Sequence, residues 1–312
     1  MRKKEESNMI YDIIIIGAGP AGMTAALYAL RAEKSVLLLD GNGYGGQIAQ
    51  SQGVENYPGI PMVNGMDFAD ALMGQIQALG VEMEFALATA IRKEGDLFTV
   101  ESDGGSFEGR TVILATGLKH RKLGAEGEES FLGRGVSFCA VCDGAFFRRM
   151  DVAVVGGGNT AVQDALYLAE ICSKVYLIHR RDQFRAEEAV VARLKEHSNI
   201  TCVMESTVVS MNGDSALRSL TVENRKTGER SVLEVAAVFE AVGMETQNAA
   251  FSELVDLDGE GYLLAGEDCK TSVAGLFAAG DCRQKAIRQL TTAVCDGTVA
   301  ALAAMDYLKG LA

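Results

Sequence analysis

Two cysteines separated by two small residues occur in the stretch FCAVCDGAFF, where Cys139 and Cys142 are followed at once by Asp143. Such a pair can hold a metal ion, close a structural disulfide, or exchange electrons with another dithiol. A structural zinc site needs four ligands, usually as two close pairs, and the sequence has no second pair of this spacing. The three histidines, at positions 120, 179 and 197, stand singly, so we predict no metal site.

The redox-active interpretation of this pair has a physical mechanism. Two intervening residues at a helix start allow a short disulfide, and the helix end stabilises a thiolate. Exchange with a second dithiol then passes through a mixed disulfide. Asp143 is placed to protonate the leaving thiolate of the partner, and capping the helix is a compatible structural role for it. The remaining cysteines are expected to be small buried apolar residues, at positions 172, 202, 269, 282 and 295.

The segment before the pair predicts a nucleotide-binding unit. An apolar strand is followed by Gly17, Gly19 and Gly22 in G-x-G-x-x-G spacing. These glycines permit a tight turn, close approach to a pyrophosphate, and packing of helix on strand. Asp40, at the end of the next strand, is placed to accept a hydrogen bond from a ribose hydroxyl. The predicted elements are the strand 13–16, the helix 24–31 and the second strand 35–39.

The same pattern returns after the pair, with Gly156, Gly158 and Ala161 in G-x-G-x-x-A spacing. The second strand of this unit does not end in an acid. A carboxylate there would suit a free ribose hydroxyl, whereas guanidinium groups suit a 2′-phosphate. In so acidic a chain, a basic cluster at this place favours NADP over a merely solvated surface. The cluster consists of His179, Arg180, Arg181 and Arg185. The predicted elements are the strand 152–155, a helix to about residue 171 and the strand 175–178.

Two different dinucleotide sites in one chain are typical of a flavoprotein that holds FAD in the first and NADPH in the second. A C-terminal strand, 276–279, precedes Gly280 and Asp281, and a helix is predicted over 293–307. This tail would complete the first domain. We therefore predict an α/β fold with two Rossmann-like (three-layer ββα) nucleotide-binding domains. The FAD-binding domain is expected over residues 1–118 and 246–312, with the NADPH-binding domain, 119–245, inserted and carrying the cysteine pair.

Composition narrows the class of protein. The chain has 312 residues, enough for two domains, and 48% are hydrophobic. A net charge of −13 argues against nucleic acid or an anionic membrane as partner. No apolar run approaches the ~20 residues that span a bilayer, and acidic residues interrupt the N-terminal stretch that resembles a signal peptide. Seven cysteines, an odd number, argue against a secreted disulfide framework. We expect a cytoplasmic protein whose N-terminal residues form a charged tail.

The chain resembles the low-molecular-weight bacterial thioredoxin reductases, which are class II pyridine nucleotide-disulfide oxidoreductases, over nearly its full length. The resemblance depends on the order and spacing of several stretches together. These are GAGPAG (17–22), GGQ (45–47), VENYPG (54–59), ATG (115–117), GRGVSFCAVCDGAFF (133–147), GGGNTA (156–161), HRRDQFRA (179–186) and GLFAAGD…RQ (275–289).

The resemblance implies roles for individual residues. Cys139 and Cys142 would be the active disulfide, with Cys139 attacking the partner protein, Cys142 contacting the flavin, and Asp143 as the acid. The implied FAD contacts are Gly17, Gly19, Pro20, Ala21, Gly22, Asp40, Gly46, Gln47, Asn56, Thr116, Gly117, Asp281, Arg288 and Gln289. The implied NADPH contacts are Gly156, Gly158, Asn159, Thr160, Ala161, His179, Arg180, Arg181 and Arg185.

The expected activity is reduction of thioredoxin, or of a thioredoxin-like or glutaredoxin-like protein, with electrons passing from NADPH through FAD to the disulfide. The family is typically homodimeric, and its middle domain rotates between two orientations. Three alternatives remain: an FAD-dependent dithiol oxidase, a reductase that takes electrons from ferredoxin or another flavin, and a non-catalytic redox sensor. The first two have no use for the arginine cluster, and steady turnover of NADPH would exclude the third.

Overall fold

The computed structural model describes residues 9–51 and 53–311, which form two compact units. The first unit contains residues 9–49, residues 64–119 and residues 245–311. The second contains residues 50–63 and 120–244. Residues 50–63, which the sequence analysis places in the FAD-binding domain, therefore group with the second unit. The predicted charged tail, residues 1–8, lies outside the described residues.

Along the described chain, strand–helix–strand segments are interrupted by runs of consecutive strands, over residues 82–120 and 200–246. The strands are β1 (Ile10–Ile16), β2 (Val36–Leu39), β3 (Glu82–Glu84), β4 (Ala88–Glu94), β5 (Leu97–Ser102), β6 (Gly105–Leu114), β7 (Leu118–His120), β8 (Val136–Ser137), β9 (Asp151–Gly156), β10 (Lys174–Ile178), β11 (Ile200–Val203), β12 (Ser206–Gly213), β13 (Leu217–Asn224), β14 (Arg230–Glu234), β15 (Ala237–Ala241), β16 (Met244–Thr246) and β17 (Leu276–Ala278). The α-helices are α1 (Pro20–Arg31), α2 (Gly65–Gln77), α3 (Ala140–Asp143), α4 (Asn159–Ala169), α5 (Glu188–Ala192) and α6 (Leu290–Leu311).

The first unit has three layers built around β1. Its sheet runs in the order β3-β2-β1-β6-β5-β4, and β17 also pairs with β6 in parallel. Because side chains alternate along a strand, β1 serves two cores. Ile13 and Ile15 pack against α1 and α6, whereas Ile14 and Ile16 pack against the antiparallel strands β4 and β5.

The second unit repeats this arrangement. A parallel sheet in the order β11-β10-β9-β15-β8 lies between α4 and the antiparallel sheet β12-β13-β14. Val152 and Val154 of β9 face α4, and Ala153 and Val155 face the antiparallel sheet. The predicted fold class, with two Rossmann-like units and parallel sheets, is confirmed.

Several predicted boundaries were wrong. Helix α1 begins at Pro20, four residues before the predicted start, because proline's fixed φ and missing N–H suit the first helical position. Helix α6 covers Leu290–Leu311 and is longer than predicted. It continues through Gly297, where a Cβ would lie 2.2 Å from the carbonyl oxygen of Ala21, so the glycine allows α6 to approach α1 closely.

The chain passes between the units at residues 49–50, 63–64, 119–120 and 244–245. The last two crossings lie within strands β7 and β16, which pair with each other. Among the residues that the structure describes, no helix has the length and apolar character needed to cross a membrane.

Candidate active site and nucleotide sites

Cys139 and Cys142 are joined in a disulfide, with their Cα atoms 5.3 Å apart. Cys139 is the N-cap residue of the four-residue helix α3. The backbone N–H of Cys142 donates to Cys139 Sγ over 3.2 Å. This hydrogen bond would stabilise negative charge on Cys139 after reduction, because donation to the charged form favours it.

The carboxyl group of Asp143 is held beside the disulfide by a serine that the sequence analysis missed. Ser137 Oγ donates to Asp143 Oδ2 over 2.6 Å and accepts from the backbone N–H of Cys139 over 3.1 Å. Burial raises the pKa of Asp143, and hydrogen bonds from Ser137 and Ser51 oppose that effect without reversing it. Asp143 Oδ1 is buried with no hydrogen-bond partner among the described residues. Asp143 therefore does not cap α3, and burial favours the protonated form of its carboxyl group.

A small cavity adjoins this carboxyl group. It has a volume of about 20 Å³ and is bordered by Asp143, Ser137 and Phe146. That volume is enough for one water molecule. The cavity therefore offers a place for a proton carrier next to the acid. Within the described ranges, no group of three or more histidine, cysteine, aspartate or glutamate side chains could hold a metal ion.

The first glycine turn, between β1 and α1, has room for a ligand at one position only. A Cβ on Gly17 would lie 2.2 Å from the Ala115 carbonyl oxygen, and one on Gly22 would lie 1.8 Å from that of Gly17. A Cβ on Gly19 would meet nothing closer than 4.0 Å. The two crowded glycines shape the turn, and the open one leaves its backbone accessible, as approach to a pyrophosphate requires.

Asp40, which directly follows β2, stabilises this turn through hydrogen bonds. Its Oδ2 accepts from the backbone N–H of Ala18 over 2.8 Å, and its Oδ1 accepts from Asn42 N–H over 2.8 Å. The carboxylate has lone pairs left for a ribose hydroxyl as well. Asp40 therefore has a structural role in addition to the predicted one.

Asp281 supports an FAD site in the same unit. Its Oδ1 is buried without a hydrogen-bond partner in the part of the chain that the structure describes. Lys285 Nζ lies 3.4 Å from this atom, close enough for an ion pair. Burial raises the pKa of Asp281, opposed by the charge of Lys285. A hydroxyl of a bound cofactor would satisfy Oδ1, so the residues fit a flavin nucleotide.

The other predicted flavin contacts divide between the units. Gly46 closely approaches the first turn, since its Cβ would lie 3.1 Å from Gly19 Cα, and Gln47 Nε2 donates to Leu118 O over 3.0 Å. Asn56 lies in the segment 50–63, which packs with the second unit. The remaining predicted contacts lie in the first unit, at the start of α1 (Pro20, Ala21), in the turn after β6 (Thr116, Gly117) and before α6 (Arg288, Gln289).

Two buried groups near these residues were missed. Asn248 receives a hydrogen bond from Thr116 Oγ1 over 2.7 Å and donates to the carbonyl oxygens of Gly261 and Cys282. Arg283 is 2% exposed and makes a two-pronged contact with Asp296 of α6, with N–O distances of 2.8 and 2.9 Å. Both groups tie together segments that are distant in sequence.

The second glycine turn, between β9 and α4, has the same character as the first. A Cβ on Gly156 would lie 2.4 Å from the Ala241 carbonyl oxygen, whereas a Cβ on Gly158 would meet nothing within 4 Å. Helix α4 begins at Asn159, so Thr160 lies in its first turn, and Ala161 is fully buried against the sheet. The free backbone N–H groups of a helix start favour a phosphate here.

The basic cluster follows β10 as predicted, but its members differ. Arg180, Arg181 and Arg185 are exposed. Their guanidinium groups make no ion pair or side-chain hydrogen bond with residues 9–51 or 53–311, so they are free to bind an anion. His179 is instead buried, with only 5% of its surface exposed.

Comparison with known proteins agrees with this geometry. The family model described as pyridine nucleotide-disulphide oxidoreductase matches residues 11–297. A thioredoxin reductase of Listeria innocua is 40% identical over 303 residues, covering 97% of this chain and 95% of that protein. A bifunctional thioredoxin reductase/thioredoxin of Mycobacterium leprae is also 40% identical, over 96% of this chain and 66% of its own length. The crystal structure of a thioredoxin reductase from Streptococcus pyogenes is 41% identical, with a TM-score of 0.94, 97% of this chain and 100% of that one covered.

Proposed function

Because the chain belongs to the pyridine nucleotide-disulphide oxidoreductase family, we propose that it acts as an NADPH-dependent thioredoxin-disulfide reductase. The observation that carries this proposal is the Cys139–Cys142 disulfide with the carboxyl group of Asp143 beside it. The same chain has two glycine turns suited to dinucleotides, and only the second is followed by free arginines. A disulfide, a nearby acid and two nucleotide sites are together the requirements of a flavoprotein disulfide reductase.

The first unit would hold FAD through its glycine turn, Asp40 and Asp281. The second would hold NADPH through the turn at 156–161, with Arg180, Arg181 and Arg185 on the 2′-phosphate. When bound, these cofactors supply hydride and two-electron transfer. The chain itself positions them, holds the disulfide and provides the proton. We propose that residues 119–245 form a domain inserted into the FAD-binding domain, and that this domain rotates about the crossings at 119–120 and 244–245.

The protein's own chemistry begins when two electrons and two protons convert the disulfide into two thiols. Cys139, as the thiolate, attacks one sulfur of the partner's disulfide, so that a mixed disulfide forms and the partner's other sulfur leaves as a thiolate. Asp143 gives its proton to that thiolate and takes up the proton that Cys139 lost. Cys142, as the thiolate, then attacks Cys139 Sγ, which releases the second sulfur of the partner, and that sulfur takes the proton that Cys142 lost. The products are the enzyme disulfide and a partner dithiol.

The raised pKa of Asp143 suits this role, because a carboxyl group that retains its proton at higher pH is a better donor near neutrality. Ser137 orients the carboxyl group through Oδ2, and Oδ1 has no hydrogen-bond partner among the residues that the structure describes. Oδ1 is therefore available for proton exchange with a water molecule, for which the adjoining cavity has room.

Thioredoxin is the proposed partner. Support comes from relatives that are themselves named thioredoxin reductases, one of which is described as a bifunctional thioredoxin reductase/thioredoxin. A thioredoxin-like or glutaredoxin-like protein is the alternative partner that we propose. The arginine cluster favours NADPH over ferredoxin as the electron source. We further propose a homodimer located in the cytoplasm, on the strength of the family resemblance. Sedimentation of the purified holoenzyme tests the dimer.

The exchange chemistry can be tested by trapping. Thioredoxin with a single active-site cysteine, activated as a mixed disulfide with thionitrobenzoate, is added to prereduced Cys142→Ser enzyme. Cys139 should displace the coloured thiolate and form a covalent adduct that dithiothreitol releases. Cys139→Ser enzyme is the matched control. If Cys142→Ser formed no adduct, or if the adduct mapped to any of the other five cysteines, the proposed exchange would be wrong.

A further inference from the structure

The imidazole ring of His179 lies directly against the second glycine turn. A Cβ built on Gly157 would stand 2.1 Å from Cε1 and 2.2 Å from Nδ1 of this ring, a distance that real Cβ atoms do not show. The ring Nε2 lies 3.1 Å from the carbonyl oxygen of Gln183. Because a carbonyl only accepts, Nε2 carries the proton. The ring therefore fills the space between the turn and the residues that follow β10.

Further contacts join the arginine loop, defined as residues 179–187, to the glycine turn. The backbone N–H of Arg185 donates to the carbonyl oxygen of Gly157 over 2.7 Å. Asn159, the first residue of α4, exchanges two hydrogen bonds with Glu187, at 2.8 and 3.0 Å. The arginine loop and the glycine turn thus form one hydrogen-bonded assembly, and the buried ring of His179 sets the space between its two parts.

The environment of His179 keeps its ring neutral near neutral pH. Burial lowers the pKa of His179, and the positive charges of the three arginines lower it further, although its hydrogen bond to Gln183 acts in the opposite direction. The ring therefore does not act as a further cationic ligand for phosphate beside the three arginines. The backbone of His179 is fixed as well, since its N–H donates to Val203 O over 3.0 Å and its carbonyl accepts from Ser206 N–H over 2.9 Å.

We propose that His179 is a positioning residue for recognition of NADPH. Its ring holds the arginine loop at the distance from the glycine turn that lets one molecule place its pyrophosphate on the turn and its 2′-phosphate among the arginines. This inference rests on the proposed use of NADPH. It differs from the role implied by the family resemblance, in which His179 contacts the nucleotide itself.

Binding of NADP⁺ and NAD⁺ to the oxidised FAD-loaded enzyme, measured by calorimetry, tests the proposal without turnover. His179→Ala should lower the affinity for NADP⁺ by about tenfold, which is the effect of one misplaced charge-assisted hydrogen bond, and leave the affinity for NAD⁺ nearly unchanged. His179→Phe keeps a ring in the space but has no nitrogen, and should bind NADP⁺ nearly as the wild type does. His197→Ala, which alters a partly exposed histidine of the same unit, is the matched control.

The outcomes separate the alternatives. If His179→Phe lost as much NADP⁺ affinity as His179→Ala, the ring nitrogens would bind the ligand and the positioning role would be wrong. If neither variant changed NADP⁺ affinity, the proposal would also be wrong, while the proposed function would stand. A wild-type enzyme without preference for NADP⁺ over NAD⁺ would instead contradict the proposed function.

A second pair of variants checks the contact itself. Gly157→Ala should weaken the binding of both nucleotides, because the new Cβ must displace the His179 ring. Adding His179→Ala removes the obstacle, so the double variant should bind NAD⁺ more tightly than Gly157→Ala alone. If the Kd of the double variant rose by the product of the two fold-changes measured for the single variants, the contact between the His179 ring and Gly157 would be contradicted. Flavin absorbance and Tm confirm that each variant is folded.

Discussion

Replacing Arg283 by methionine should destabilise the first unit strongly. Arg283 and Asp296 are 2% and 4% exposed, and the guanidinium group meets both carboxylate oxygens. Removing one partner of a buried pair costs about 3–5 kcal/mol, since the other charge stays buried without compensation. Lys285 Nζ, 3.1 Å from Asp296 Oδ2, still offsets part of that charge. We therefore expect the lower end of the range, about 3 kcal/mol, which corresponds to a fall in Tm of about 6–12 °C.

The assay is urea denaturation followed by circular dichroism and by flavin absorbance. Arg283→Met/Asp296→Asn should recover at least half of the loss, because the uncompensated carboxylate is gone and Lys285 keeps Asp281 as an ion-pair partner at 3.4 Å. The asparagine can also still accept from the Gly280 N–H, which lies 3.0 Å from Asp296 Oδ2. The matched control is Arg230→Met, which removes an exposed ion pair in which Arg230 Nε lies 2.7 Å from Glu223 Oε2. This change should lower the free energy of unfolding by less than about 1 kcal/mol. The reasoning fails if Arg283→Met costs no more than the control, or if the double variant is no more stable than the single one.

Three further predictions concern the acid, the arginines and a buried carboxyl group. Asp143→Asn should lower kcat with thioredoxin by about 100-fold, the low end for general acid catalysis, and leave the rate of flavin reduction by NADPH unchanged. Stopped-flow absorbance separates the two steps, and an equal loss of rate in both would contradict the assignment of Asp143 as the acid. Replacing Arg180, Arg181 and Arg185 together by glutamine should lower kcat/KM for NADPH by more than about 100-fold while NADH is little affected, and an unchanged preference would refute the 2′-phosphate site. Burial and the neighbouring Glu128 raise the pKa of Glu240 to about 9. The folded state therefore binds the extra proton, and wild-type stability falls as pH rises from the unfolded pKa of about 4.3 toward that value. Glu240→Gln should remove this dependence of stability on pH. In urea denaturation, the free energy of unfolding of the variant should therefore exceed that of the wild type by more at about pH 8 than at about pH 5. An equal difference at both pH values would count against a buried proton on Glu240.

The general architecture could be predicted because it depends on patterns within short stretches of sequence. The spacing of Gly17, Gly19 and Gly22 and the apolar strand before them reflect constraints within a few residues, and the structure shows those constraints directly. The disulfide between Cys139 and Cys142 likewise depends on residues three positions apart.

What sequence analysis missed depends on contacts between distant segments. Thr116 and Asn248 are 132 positions apart, and no periodic pattern links them. Ser137 carries no recognisable signal in the sequence, although its hydroxyl donates a hydrogen bond to Asp143. His179 was grouped with the arginines because it adjoins them in sequence, yet its side chain turns inward against Gly157. A strand's end determines which residues are near a site, and only packing determines which of them point into it.

The central claim is that electrons from NADPH reach the disulfide of thioredoxin through the Cys139–Cys142 pair. The most direct measurement follows NADPH oxidation and the appearance of thioredoxin thiols in the same reaction of the purified yellow enzyme. We predict one NADPH consumed for every two thiols formed, with thioredoxin-dependent turnover lost in both Cys139→Ser and Cys142→Ser. Wild-type enzyme that consumed no NADPH with oxidised thioredoxin, or a cysteine variant that kept full turnover, would contradict it.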